Sequence, residues 1–97
     1  MPPQSTYIMY SRERGLIFIA SNLKPVPAQK AYELWLIPMH GEPIPAGVFK
    51  PDARGSATVI NPPLPAGVEA KAFAITVESE QGSSKPTPPI VMMGAGS

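Results

Sequence analysis

The chain contains no cysteine. That excludes disulfide staples, thiol nucleophiles and thiolate zinc sites together, and it leaves either redox compartment open. Charge is also scarce: 15% of the 97 residues are Asp, Glu, Lys or Arg, and the formal net charge is +1, whereas soluble domains usually carry about 25%. The eight Lys and Arg are scattered along the sequence, so the basic face that a nucleic-acid partner requires is missing. Long apolar runs are lacking too. Prolines and charges such as Arg12, Glu13, Arg14, Lys71 and Glu78 interrupt every stretch well before the roughly 20 residues of a membrane-spanning helix. Met1 is followed by Pro2, Pro3 and Gln4, not by a charged and then apolar opening, so export is not expected to be encoded in this stretch.

Chemistry-bearing residues are equally sparse. The single histidine, His40, sits in Met39-His40-Gly41-Glu42, which reads as a solvent-exposed turn; with no Cys and only Glu42 beside it, it does not make a zinc site. No Gly-x-Ser-x-Gly elbow is present, and the serines fall in turns and termini. Glu78 and Glu80 are two apart and share a side if their strand continues, but they read as a solvated strand end leading into Gln81-Gly82-Ser83-Ser84. No catalytic, metal-binding or cofactor-binding residue is assigned, no cofactor is expected, and the chain reads as a non-enzyme.

What the chain does have is proline, fourteen residues of it, with eight glycines. Together they make about 23% of the sequence, just under the roughly 25–30% at which composition argues for disorder. Val, Ile, Leu and Phe supply a similar share, above the ~20% floor for a folded chain, so a loop-rich but folded single domain is expected over residues 1–97, ordered from about 6 to 94. Because Pro breaks helix interiors and central strands, the segments between prolines must carry the structure. Thr6–Ser11, Gly15–Ser21, Ala31–Ile37, Ala46–Phe49, Ala57–Ile60, Glu69–Glu78 and Ile90–Met93 are short and rich in β-branched and aromatic residues, predicting about seven strands. Alternation places Tyr32, Leu34 and Leu36 opposite Glu33, Trp35 and Ile37, and Phe73, Ile75 and Val77 opposite Ala72, Ala74 and Thr76. A helix over Ala28–Leu36 is the main rival reading. Gly15–Ser21 is apolar on both faces, which predicts a central strand partly covered on its outer side.

Arg12-Glu13-Arg14-Gly15 and Asp52-Ala53-Arg54-Gly55 each end a polar tetrad with glycine, and both are read as hairpins. Asn22–Lys30 and Asn61–Val68 are longer, proline-rich links suited to crossing between sheets. The pattern predicts an all-β fold, an immunoglobulin-like β-sandwich of about seven strands with Greek-key connections. Trp35, the only tryptophan, is expected in packing and not on a ligand platform; Tyr7, Tyr10 and Tyr32 are too scattered to establish a carbohydrate-stacking surface with it. Gly94-Ala95-Gly96-Ser97 reads as a flexible tail.

At Lys30-Ala31-Tyr32-Glu33-Leu34-Trp35-Leu36-Ile37 the chain resembles the C-terminal domain of anti-sigma-K factors, the RskA family. Gly15–Leu23 with Pro25 and Pro27, then Pro45-Ala46-Gly47-Val48-Phe49, then Leu64-Pro65-Ala66-Gly67 before Ala74–Glu78, and finally Gly82–Thr87 with Pro89–Gly94 resemble the same family in order. The resemblance covers residues 7 to 94; Pro88 departs from it, standing where the family often has glycine. It implies an extracytoplasmic regulatory domain of a single-pass membrane protein, whose partners are a sigma factor, through a cytoplasmic domain absent from this chain, and the membrane, through an upstream helix also absent. A protease or signal protein is a further implied partner, since loss of inhibition in the family proceeds by regulated proteolysis. Ligand-binding and partner-binding residues remain unassigned. The rival reading is a free-standing sandwich module that binds carbohydrate or peptide, and the exposure of Trp35 separates the two.

Overall fold

The computed structural model describes residues 3–95, which form seven strands and no helix: β1 (Ser5–Ser11), β2 (Gly15–Ser21), β3 (Lys30–Pro38), β4 (Ile44–Phe49), β5 (Ala57–Ile60), β6 (Ala70–Ser79) and β7 (Met92–Ala95). All pair antiparallel, in two sheets of order β1-β2-β5 and β4-β3-β6-β7. The helix alternative over Ala28–Leu36 fails because both faces of β3 are used: Tyr32, Leu34 and Leu36 enter the core between the sheets, and Glu33 and Trp35 are buried on the far side. A two-residue period serves that double burial and a 3.6-residue period does not.

The core is built from alternate residues of both sheets. Leu16, Phe18 and Ala20 of β2 face Tyr32, Leu34 and Leu36 of β3 and Phe73 and Ile75 of β6. Phe49 joins the layers, tilted against Phe18 at 5.3 Å between ring centroids and stacked on Tyr32 at 5.6 Å. Tyr10 meets Phe73 edge-on at 5.6 Å, and its hydroxyl donates to the Val68 carbonyl at 2.6 Å, closing the end of the sandwich where β6 begins. The Tyr32 hydroxyl donates to the Lys24 carbonyl at 2.7 Å and ties down the β2–β3 link. Both rings thus bury their apolar bodies while satisfying their polar tips.

The first glycine-terminated tetrad is a hairpin as expected: Ser11 pairs with Gly15, and the Ser11 Oγ accepts from the backbone N–H groups of Glu13 and Arg14. The second is a turn but not a hairpin. Asp52 Oδ1 accepts from the N–H groups of Arg54 and Ser56 at 2.8 and 2.9 Å, bonds that hold its carboxyl below the usual range, those from Ser56 and Arg54 leading. Yet β4 then pairs with β3, and β5 with β2, in the other sheet. The reason lies at Gly55, which is buried with φ +80°. A Cβ there would stand 2.6 Å from the Leu23 carbonyl oxygen, and the Gly55 carbonyl accepts from the Leu23 N–H at 2.9 Å. The turn is therefore bound to the β2–β3 crossing, and its local chemistry does not decide which strands pair. The two proline-rich links cross between sheets as expected, β2 to β3 and β5 to β6.

β1, β3 and β6 depart from the pattern-based bounds by no more than one residue at either end, and two strands depart by more. β4 begins at Ile44 and runs through Pro45, because it is an edge strand and a proline whose missing N–H falls on the free side is tolerated there. A bulge follows, with Ala46 and Gly47 facing Leu34 between the Glu33–Val48 and Trp35–Pro45 pairs. β7 spans Met92–Ala95 and not Ile90–Met93. The chain up to Ile90 is occupied in crossing the outer face of the four-stranded sheet, and on its return it bonds to the β6 backbone through the Val91 N–H and the Ile75 carbonyl, at 2.8 Å. Gly94 and Ala95, read as tail, are thus in a strand; Gly96 and Ser97 lie outside the described residues.

Leu34 is fully buried in the central strand of the larger sheet. Leu34→Ala is expected to destabilise the fold by about 2–5 kcal/mol, a large share of the margin available to a domain of this size. Urea unfolding should show it as a lower midpoint with an unchanged slope.

Candidate functional site

The outer face of the four-stranded sheet holds the residues that most resemble a built site. On an unstrapped sheet these positions would be wet, yet Glu33, Trp35, Thr76 and Glu78 are all buried. The segment Glu80–Val91 accounts for this: it leaves β6, crosses that face and returns to the β6 edge as β7. Register explains why the four side chains meet. Glu33 lies opposite Thr76, Trp35 opposite Ala74 and Ala31 opposite Glu78, so Trp35–Thr76 and Glu33–Glu78 are diagonal neighbours on one face.

The polar atoms are connected in a chain. Trp35 Nε1 donates to Thr76 Oγ1 at 2.8 Å, and that hydroxyl in turn donates a hydrogen bond to Glu78 Oε2 at 2.5 Å. Glu78 Oε2 also accepts from the Thr87 N–H at 2.8 Å, and Glu78 Oε1 accepts from Thr87 Oγ1 at 2.7 Å. Glu33 Oε1 accepts from the Ser83 N–H at 2.8 Å. Two carboxylates of the sheet thereby pin the strap at two points, Ser83 and Thr87. Gly82, φ +82°, makes the first point accessible: a Cβ there would lie 2.9 Å from Val48 Cγ2 and 3.4 Å from Glu33 Oε1. Beyond the buried pair, Glu80 is exposed and forms an ion pair with Lys50. The solvated-strand-end reading therefore holds for Glu80 and fails for Glu78, whose carboxyl accepts three hydrogen bonds, two of them from Thr87 because the strap folds back on it.

The two carboxyls are shifted in opposite directions. Burial pushes Glu33 up, the nearby charge of Glu78 adds to this, and the Ser83 hydrogen bond only partly opposes it. Burial also pushes Glu78 up, but the hydrogen bonds from Thr76 and Thr87 with the charge of Lys30 outweigh it, and the net direction is down. Pairs whose environments separate their acidities in this way are found at catalytic centres and equally in structural networks. A cleft of about 370 Å³ lies beside the strap, lined by Glu42, Pro43, Ser84, Lys85 and Pro86 and by neither carboxylate; another, of about 410 Å³, lies beside Tyr10, Arg12, Glu13, Met39 and Glu69. Two of its three charged residues, Arg12 and Glu69, pair with one another at 3.3 Å on the surface. Among the described residues no three His, Cys, Asp or Glu side chains converge as a metal site would require, and His40 and Glu42 are both exposed.

The aromatic residues do not form a platform. Trp35 is fully buried, Tyr32 is buried and Tyr10 half-buried, leaving Tyr7 alone on the surface. Trp35 was legible as a packing residue, but the Glu33–Glu78 pair was not. Its only sequence signal is an acidic residue in each of two strands that are apolar on both faces, alternating in phase with Trp35 and with Ala74 and Thr76.

The described residues thus form a two-sheet, all-β domain whose four-stranded sheet is crossed on its outer face by a strap fastened to Glu33 and Glu78. The sequence profile of the C-terminal region of anti-sigma-K factor rskA matches residues 2–90, and the chain belongs to that family. A Streptomyces griseus protein described as an uncharacterized protein in the phr 5′ region is 32% identical over 89 residues, covering 91% of this chain and 36% of the relative. The chain thus spans about a third of the length of that curated relative. No solved structure matches it. No helix among the described residues is long and apolar enough to cross a membrane.

Glu78→Ala leaves the Thr87 N–H and the Thr76 hydroxyl without their acceptor. A loss of about 1–3 kcal/mol is expected, together with a shift of Trp35 emission to longer wavelength as the strap loosens. The pH response has a defined sign. As pH falls from neutral, Glu33 binds its proton in the folded state before the unfolded one, so stability rises between its raised and its ordinary pKa. Below the ordinary carboxylate range, Glu78 and Asp52 lose their native advantage and stability falls. Urea midpoints measured across this range should show the rise in the parent and not in Glu33→Gln, while the acid-side fall persists in both.

Proposed function

We propose that this chain is the regulatory, extracytoplasmic domain of a membrane-anchored anti-sigma factor, the part that governs when a sigma factor held on the cytoplasmic side is released. Family membership over residues 2–90 carries this reading. The relative's much greater length supports it, since a sigma-binding segment and a membrane anchor need chain beyond the matched third. Residues 1–97 act in this reading as one sensor-side domain. It performs no reaction of its own; its folded state controls access of a protease to the anchor-proximal chain, and a signal acts by changing its stability or its occupancy by a partner. The same reading makes the fold an immunoglobulin-like sandwich with Greek-key connections, supported by the two inter-sheet crossings and by the Tyr10–Val68 hydrogen bond at the strand corner. Fold alone does not choose a function. Against a carbohydrate-binding module stands the burial of Trp35, which removes the flat exposed ring such a module would use.

The test is made in the intact protein. Deleting the segment that corresponds to residues 1–97 is expected to alter both cleavage of the anti-sigma factor and transcription from the sigma factor's promoters, and Leu34→Ala is expected to move both in the same direction to a smaller degree. Unchanged cleavage and transcription in both variants, under every inducing condition tried, would remove the regulatory role.

A further inference from the structure

The outer face of the three-stranded sheet is the opposite of its strapped counterpart. Expected to be partly covered, it is open. Register aligns Tyr7 with Ile19 and Thr58 in one row and Met9 with Ile17 and Ile60 in the next. The five apolar members are 52% (Tyr7), 43% (Ile19), 54% (Met9), 37% (Ile17) and 63% (Ile60) exposed. Exposed strand faces and edges ordinarily carry lysine, glutamate or proline against unwanted association, yet β1, β2 and β5 contain no charged residue and no proline.

We propose that this face is a self-association surface, on which the same face of a second copy packs. Two observations select a copy of the chain as occupant. A surface with no charge of either sign is complementary to itself: a two-fold that lays β2 of one molecule across β2 of another brings no like charges together, and every apolar row meets an apolar row. Size also fits. The five side chains leave on the order of 500 Å² accessible, in the upper part of the roughly 300–600 Å² found for the largest patch on a monomer. Two such faces, with Ser5, Ser21 and Thr58 at the rim, come close to the lower limit of about 1,200 Å² for specific interfaces, which describes a weak, reversible dimer. The strap leaves no equivalent face on the other sheet, so association stops at two.

Sedimentation equilibrium on the 97-residue chain from about 10 μM to about 1 mM tests this. The expected result is an average mass that climbs from 10.3 kDa toward twice that value. Ile19→Lys should raise the concentration needed for dimerisation at least about tenfold, with circular dichroism and Trp35 emission unchanged. Met39→Lys, at an exposed position off the face, should leave association as in the parent. Should Ile19→Lys fail to fold, Tyr7→Lys with Met9→Glu on the edge strand makes the same test. A monomer throughout the range overturns the proposal, as does a dimer indifferent to the face substitutions. A monomer that instead binds anionic phospholipid vesicles through Ile19 overturns it too, since the occupant is then a lipid surface.

Discussion

The antiparallel pairing of β3 with β6 is the contact from which both layers of the structure are built. It runs from Lys30–Ser79 to Pro38–Ala70 with one irregularity near Ile37, and it fixes two juxtapositions at once. On the inner face it sets Leu34, Leu36, Phe73 and Ile75 toward β2, where the core forms. On the outer face the same register brings Glu33, Trp35, Thr76 and Glu78 together, where the strap is fastened. A slip of one residue would exchange the faces of one strand against the other, turning either Glu33 into the hydrophobic core and Leu34 and Leu36 toward the strap, or Glu78 inward and Phe73 and Ile75 outward. The carboxylates act as specifiers of register by this argument, because a buried carboxyl without donors is costly and only one pairing supplies them.

Much of the fold was legible because proline divides the chain. A residue that cannot sit in helix interiors or central strands leaves few places for strands to be, and β1, β2, β5 and the cores of β3 and β6 fall where alternation put them. The errors came where a strand's neighbour mattered more than its own residues. Asp52–Gly55 has the chemistry of a hairpin turn, but whether two strands pair depends on what lies beside them, and Gly55 is held by Leu23 of a distant link. Pro45 falls outside the strand expected over Ala46–Phe49 because the sequence does not say that β4 is an edge.

The candidate site was less legible for the same reason. Trp35 reads as buried from its size and neighbours, but nothing local shows that Glu78 is buried while Glu80, two residues on, is wet. The difference is made by Thr87, nine residues later, whose N–H and hydroxyl both return to Glu78. β2 presents the reverse case: two apolar faces suggest cover on both sides, and Ile17 and Ile19 are open because β1 turns tightly into β2 while the links after β2 and β5 leave for the other sheet and not over this outer surface. Patterning reports what a face is made of; what lies upon it is set by the course of loops.

The strap also divides the molecule energetically. Its attachments are side-chain carboxylates and one backbone bond before β7, a four-residue edge strand, whereas β3 and β6 are held by a continuous ladder and a packed core. Segments with few buried apolar contacts open at lower free energy than the whole. The last part of the chain is accordingly a separate opening unit, and amide hydrogens of β6 that face β7 exchange with solvent through that local opening while those that face β3 wait for the sandwich itself to unfold. One strand thus carries two protection levels along its two edges.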